Sequence, residues 1–423
     1  MKKLIAAVLA GVLLLSAAGC GAKQETEPQE TAPKTTYKVP SPKKTPDYSV
    51  PENYTTDDLR AIAVRAMHDF VTIEWTADKY YTYRNPYDAV DKQFQYVPNV
   101  TYGGLPYTNA HTGIFQWYKF YDQETGVMSF PGDGMAWSQT LGNVCACTII
   151  WCWSTVCNSL AGNYNSYQMT VPNHFVPVGD YKMNTAIENY RDYTTDKICA
   201  DNGDTVMYES YAKVLPADAL TSSPDAHAVM AMEAANVVRN ADGTIDPEQS
   251  TIKIMDQRGS VGDESYKHQI DGVDQWYTGR VGYEYTFAKL LSLGYIPVTA
   301  AEFTGAKEYT KPVVSFSGKT DSLKDLLTGK VETNYLLCNL ELFLTEADGT
   351  ETRLALAQYN KKDAGMGCGA DTFHFDMGKI RDANVQEQLE GMKISDGAAI
   401  RLVAQVSSGD IFEIAKIPAE ANK

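Results

Sequence analysis

The sequence predicts an α+β protein in which a buried helix packs on an antiparallel sheet and a small β-sandwich follows. Three stretches carry this expectation. Gly142 to Trp153 runs from a glycine turn through Cys145 into an apolar segment whose only compact conformation is a buried helix. Two β-type runs, His227 to Val238 and Thr251 to Gln257, flank the hairpin dipeptide Asp242-Gly243. Beyond about residue 312 the chain turns to short alternating strands.

The 423 residues exceed one ordinary core, so two domains with a tail are expected. Hydrophobic content of 44% and charged content of 21% mark a globular chain. The start reads Met1-Lys-Lys3, an apolar run from Leu4 to Ala18, then Gly19-Cys20. That is the charged, apolar and small-residue order of a signal peptide, too short to span a membrane stably. The ending Leu15-Ser-Ala-Ala-Gly-Cys20 resembles a bacterial lipoprotein lipobox, with Ala17 where leucine is commonest. The resemblance implies cleavage after residue 19, lipidation of Cys20 and an extracytoplasmic protein anchored to the bacterial membrane by lipid. Losing Lys2 and Lys3 takes the net charge from −16 to −18. A body this acidic argues against nucleic acid as a partner.

Residues 20–51 are expected to be a lipidated cysteine and a flexible tether, rich in Pro, Thr, Lys and Glu without apolar periodicity. A first helix opens at Thr56-Asp-Asp58, with Leu59, Ile62, Ala63, Ala66, Met67 and Phe70 at helical spacing. His68 falls on its opposite face. An aromatic, turn-rich region from Trp75 to Phe130 includes Tyr102-Gly-Gly-Leu-Pro-Tyr107. The Cys145 helix is expected to reach about Leu160. Residues 161–214 are expected to be irregular excursions around a cleft. The first domain, 55–303, ends with a strand near Ile296-Pro-Val-Thr299, and the sandwich occupies 312–423.

Eight cysteines leave seven once Cys20 is acylated: 145, 147, 152, 157, 199, 338 and 368. In an exported protein this odd number suggests one free thiol and up to three disulfides, with Cys338 and Cys368 one conceivable pair. The cluster at 145–157 has no CxxC pair and no histidine at finger-like distance, so neither metal nor cofactor is expected.

A thiol in the first turn of a buried helix feels unpaired backbone N–H groups and the positive dipole end, and both favour thiolate. Cys145 is therefore the candidate nucleophile. Cys147 is its rival, about 200° further around the helix, and Trp151 four residues beyond it fits a packed face. A thiolate needs a base and the base an orienting group. Of the histidines 68, 111, 174, 227, 268 and 374, only His227 begins an apolar strand just after a turn. Folding the hairpin symmetrically about Asp242-Gly243 sets position 227 opposite about 258. Asp256 and Gln257 then become alternative orienting groups on opposite faces of their strand, Gln257 being preferred. Gln139, six residues before Cys145, is a candidate oxyanion donor.

These residues resemble the NlpC-like family of bacterial cell-wall cysteine peptidases, with a compact papain-like fold. The family's Asp-Cys-Ser-Gly motif is matched by Val144-Cys-Ala-Cys147, its Gly-x-Pro-Tyr turn by Gly104-Leu-Pro-Tyr107, and its Pro-Gly-Asp-x-Leu and His-Val by Pro216-Ala-Asp-Ala-Leu220 and His227-Ala-Val229. The Asp, Ser-Gly and turn Gly of the family are absent here. The resemblance implies a Cys–His–polar triad of Cys145, His227 and Gln257 or Asp256. It places Tyr107 on the oxyanion side and implies hydrolysis of amide bonds in peptidoglycan stem peptides through an acyl-enzyme. Two other readings stay open: a surface lipoprotein that binds wall peptide or glycan without cleaving it, and acyl transfer by the same triad.

Overall fold

The computed structural model describes residues 44–84, 93–96, 98–108, 110–131, 141–160, 169, 175–184, 192–257, 267–270, 273–322, 325–326, 329–358, 373–376 and 395–418. The expectations placed on residues 1–43, Cys20 among them, and on Gln139, His174 and Cys368 lie outside the described residues. The architecture is mixed α+β, with few helices and several sheets that are largely antiparallel.

Order begins before the position expected from composition. Tyr48, inside the expected tether, is buried, packs edge-on against Phe115 and donates a hydrogen bond to Asp69 at 3.0 Å. Helix α1, Thr56–Thr72, follows a reciprocal capping box between Thr55 and Asp58. It buries the stripe Leu59, Ile62, Ala63, Ala66, Met67 and Phe70 and leaves His68 exposed.

Strands β1 (Glu74–Ala77), β2 (Tyr81–Arg84), β3 (Gln93–Tyr96), β4 (Tyr102–Gly103) and β5 (Val127–Met128) come next, with a helical turn α2 at Ile114–Trp117. Trp75, Tyr96, Tyr102, Trp117 and Phe130 pack there as an aromatic cluster with ring centroids about 5–6 Å apart. Helix α3, Cys145–Trp153, is buried at every position, as its apolar sequence requires, with the one hydroxyl, of Thr148, hydrogen-bonded. It ends at Trp153, earlier than the expected 160.

The stretch expected to be irregular carries regular structure: strand β6 (Val176–Pro177) and the short helices α4 (Thr195–Asn202) and α5 (Asp204–Tyr211), joined through Gly203. Their apolar positions are few and interrupted, Ile198 and Cys199 in one and Met207 and Tyr211 in the other, so the helical period is faint.

Strands β7 (Ala219–Ser222), β8 (His227–Ala231), β9 (Thr251–Gln257), β10 (Lys267–Ile270), β11 (Val273–Tyr277) and β12 (Gly279–Thr286), helix α6 (Phe287–Ser292) and strand β13 (Ile296–Thr299) complete this part. The central sheet runs β12-β9-β8-β7-β13-β6, antiparallel throughout. Both α1 and α3 pack on β8 and β9, which explains why β8 is buried at all five residues. Met230 lies opposite Met255 and Ala231 opposite Ile254. Between β8 and β9 the chain is an elaborated turn with bridges at Asn236–Thr251 and Arg239–Ile245.

From residue 314 onward two antiparallel sheets form. One joins β14 (Val314–Ser317), β15 (Lys330–Thr333) and β18 (Phe373–Asp376). The other joins β16 (Leu337–Thr345), β17 (Glu351–Gln358), β19 (Ala399–Val406) and β20 (Ile411–Pro418). This region grips the first through buried polar bonds. Asn339 donates to the Phe115 carbonyl at 3.2 Å, and Ser407 to the Ser154 carbonyl at 2.6 Å, just past α3. No disulfide joins any two of the six described cysteines. Cys152 instead meets the Met67 sulfur at 3.8 Å and Cys199 the Tyr295 carbonyl at 3.5 Å.

Candidate active site

The turn before α3 fixes where the Cys145 sulfur points. Asn143 donates its backbone N–H to the Pro106 carbonyl at 2.9 Å, and Thr108 donates to the Asn143 carbonyl at 3.1 Å. This short parallel bridge ties 104–108 to 142–143. A Cβ at Gly142 would collide with the Pro106 carbonyl, so only glycine allows the approach. Tyr107 is thereby carried to the helix start, where its hydroxyl lies 3.7 Å from Cys145 Sγ. Val144, the N-cap of α3, offers no side-chain acceptor, which leaves the first-turn N–H groups uncapped by it.

His227, first residue of β8, lies beside Cys145, near enough that each shifts the other's pKa. Its Nε2 lies 2.8 Å from Asp256 Oδ2. Asp256 sits near the end of β9 and is closed from solvent, while Cys145 and His227 are 5% and 3% exposed. Arg280 on β12, the cross-strand neighbour of Asp256, adds a guanidinium to the same carboxylate. The line Cys145, His227, Asp256, Arg280 thus alternates anion-capable and cationic groups across α3, β8, β9 and β12.

The electrostatics follow from this alternation. Burial pushes the Cys145 thiol up, yet the His227 imidazolium, the Ala228 backbone N–H and the Tyr107 hydroxyl together bring it below the ordinary thiol value. Burial pulls His227 down, but the Cys145 sulfur and the Asp256 carboxylate outweigh it and raise the ring to about 9. Burial likewise raises Asp256, and bonds from His227 and Arg280 reverse that, leaving it at about 2. Burial keeps the Tyr107 phenol far above 10, a donor throughout the useful range.

Gln257, the orienting residue preferred from sequence, does not reach the imidazole. Strand alternation turns it to the other face, where its Nε2 donates to the carbonyls of Leu105 and Pro106 at 2.7 and 3.1 Å and its Oε1 accepts from Thr148. Gln257 therefore bolts the Tyr107 turn to α3 and β9, and Asp256 is the group that meets His227. The preference for an amide over a carboxylate had no register to decide it.

Comparison with protein-family models finds no match for this chain, and comparisons with curated proteins and with solved structures find none either.

Two residues here carry no motif. Arg280 lies on a separate strand, visible only once β12 pairs with β9. His111 sits at a left-handed φ of 53°, rare for a side-chain-bearing residue. Its Nδ1 is 2.8 Å from Cys147 Sγ, and its carbonyl accepts from Trp151 Nε1 at 2.8 Å. The four-residue spacing of Cys147 and Trp151 places both on the face that holds this loop. The strands carrying His268 and His374 are β10 and β18. Among the described residues no cluster of three or more His, Cys, Asp or Glu is arranged to hold a metal ion.

Chemically, a thiolate beside an imidazolium can attack an acyl carbon and protonate a leaving group. The same ring then serves as base for water.

Proposed function

We propose that this protein is a cysteine hydrolase that cleaves amide bonds through an acyl-enzyme, with Cys145 as nucleophile, His227 as acid and base, and Asp256 as orienting group. The observation that carries the reading is the buried row of Cys145, His227 and Asp256, with His227 Nε2 2.8 Å from Asp256 Oδ2 and the neighbouring imidazolium lowering the Cys145 thiol. The Cys145 thiolate adds to the scissile carbonyl carbon, and the carbonyl oxygen takes the negative charge. First-turn N–H groups of α3 and the Tyr107 hydroxyl are the donors available to that oxygen. The carbon–nitrogen bond breaks as His227 gives its proton to the departing amine. His227 next takes a proton from water, whose oxygen attacks the thioester. The acid leaves and the thiolate returns.

The substrate class follows the resemblance to the NlpC-like peptidases, with which a helix on an antiparallel sheet is compatible. The proposed substrates are peptidoglycan stem peptides, met at the outer face of a bacterial membrane to which Cys20 would be lipid-anchored. The test is incubation with purified muropeptides, read by mass spectrometry, with Cys145→Ala protein as control. New fragments from the wild type alone support hydrolysis, and identical spectra from both sink it.

The near-complete burial of Cys145 and His227 favours a second reading, a surface lipoprotein that binds wall peptide without cleaving it. Rapid alkylation of Cys145 by iodoacetamide at neutral pH supports the hydrolase. Inertness of that thiol supports the binding module.

A further inference from the structure

We propose that Arg280 is a positioning residue of this site: its guanidinium clamps the Asp256 carboxylate so that Oδ2 faces His227, and it balances that buried charge. Arg280 Nε donates to Asp256 Oδ1 at 3.0 Å while its Nη2 donates to Oδ2, a two-pronged grip on the oxygen pair that also serves the imidazole. The fork fixes the rotation of the carboxylate, which a single partner leaves free.

The strand is built to aim this side chain. Residues three apart on a regular strand face opposite ways. Between Val281 and Tyr283 the β12–β9 register shifts by one, and Gly282 takes φ +75°, the left-handed region that favours glycine. This bulge turns Tyr283 to the face of Arg280, where its ring lies 4.4 Å from the guanidinium carbon. Tyr285, on that same face, brings its hydroxyl to 3.5 Å from Nη2. The cation is thus held from one side by two tyrosines and from the other by a carboxylate closed from solvent.

Among the described residues, the charged and titratable groups facing Asp256 are His227 from β8 and Arg280 from β12. Those facing the Cys145 sulfur are His227 and Tyr107. Without the guanidinium the group loses one positive charge, and every proton in it is held more tightly. Thiolate at Cys145 then forms only at higher pH.

The inference rests on the hydrolase reading for its catalytic meaning, but its test needs no substrate. Full-length protein is alkylated with iodoacetamide across a pH series, and modification of the peptide bearing Cys145 is read by mass spectrometry. Arg280→Gln moves the midpoint of thiolate formation up by about one pH unit, and Arg280→Lys, which keeps the charge, restores most of it. A purely structural role would lower the melting temperature and leave the midpoint where it is. A Gln variant with the wild-type midpoint, or a Lys variant no better than Gln, overturns the proposal. Should Arg280→Gln not fold, Tyr283→Leu is read in its place: an upward midpoint supports the clamp and an unchanged one overturns it. Muropeptide cleavage is scored separately, so a protein that shows the shift without cleaving anything refutes the hydrolase and keeps the clamp.

Discussion

Asp256 Oδ2 sits 2.8 Å from His227 Nε2 across two adjacent antiparallel strands, and the neighbouring Gln257 points to the opposite face. One residue of register separates an ionic partner for the imidazole from a brace for the loop that carries Tyr107. The two side chains therefore do different work, and substitution separates them.

Replacing Asp256 by Asn keeps the shape and removes the anion that holds the imidazolium. Turnover is expected to fall by about 10²- to 10⁴-fold, with the melting temperature moved far less than activity. Gln257→Ala acts the other way. It removes one of two partners from the Leu105 and Pro106 carbonyls and from Thr148, which keep Thr278, Asn143 and the Val144 carbonyl respectively, at a cost of roughly 1 kcal/mol per lost bond. Denaturant melts and steady-state rates on the two variants check the split. A Gln257→Ala protein of unchanged stability whose turnover has collapsed would reassign the triad.

Cys145→Ala is expected to lower hydrolysis by about 10⁴-fold or more while the protein keeps its fold, because the rest of α3 stays buried without the sulfur. Tyr107→Phe tests the oxyanion role. Loss of its hydroxyl, now 3.7 Å from the sulfur, should lower kcat by about 10²-fold with little change in KM. Steady-state kinetics on a cleaved muropeptide measure both. An equal rise in KM with kcat untouched would make Tyr107 a binding group.

Much of this site was legible in the chain because it rests on local chemistry. A glycine turn, a cysteine and a largely apolar run through Trp153 mark a buried helix with the sulfur at its head. The Asp242-Gly243 turn set His227 opposite 258 through the period of two alone. What stayed hidden depends on long-range pairing. Arg280 reaches Asp256 only because β12 joins β9, and no local pattern marks that pairing. His111 meets Cys147 across 36 residues through a left-handed backbone that its sequence does not announce. Among the six described cysteines no disulfide forms, and Cys147 and Cys152 instead meet His111 and Met67.

The His111–Cys147 contact yields a prediction of stability rather than catalysis. Cys147→Ala leaves His111 Nδ1 in a buried pocket without its sulfur partner, and should cost roughly 1–3 kcal/mol. Turnover per folded molecule is expected to stay within a few-fold of wild type, since α3 keeps Cys145 in place. Urea melts and active-site titration decide it. Complete inactivation of a stable Cys147→Ala protein would make Cys147 the nucleophile instead.

The pH profile is the most demanding consequence of the charge alternation. Activity needs Cys145 deprotonated and His227 protonated together. Rates should rise as pH climbs through the lowered thiol value and fall as it passes about 9, where the imidazolium gives up its proton. The sign for stability follows the same ring. Its folded value lies above the ordinary 6.5, so its contribution is complete below 6.5 and drains away as pH climbs through about 9. Asp256 behaves in the opposite sense: held at about 2 against an ordinary 3.8, it stabilises the fold above 3.8 and ceases to as pH drops through about 2. In Cys145→Ala protein the thiolate no longer supports the imidazolium, so the His227 titration should shift to lower pH. NMR of ring-labelled histidine reads that shift directly. A His227 resonance that titrates near 6.5 in the wild type would remove the ion pair on which the chemistry depends.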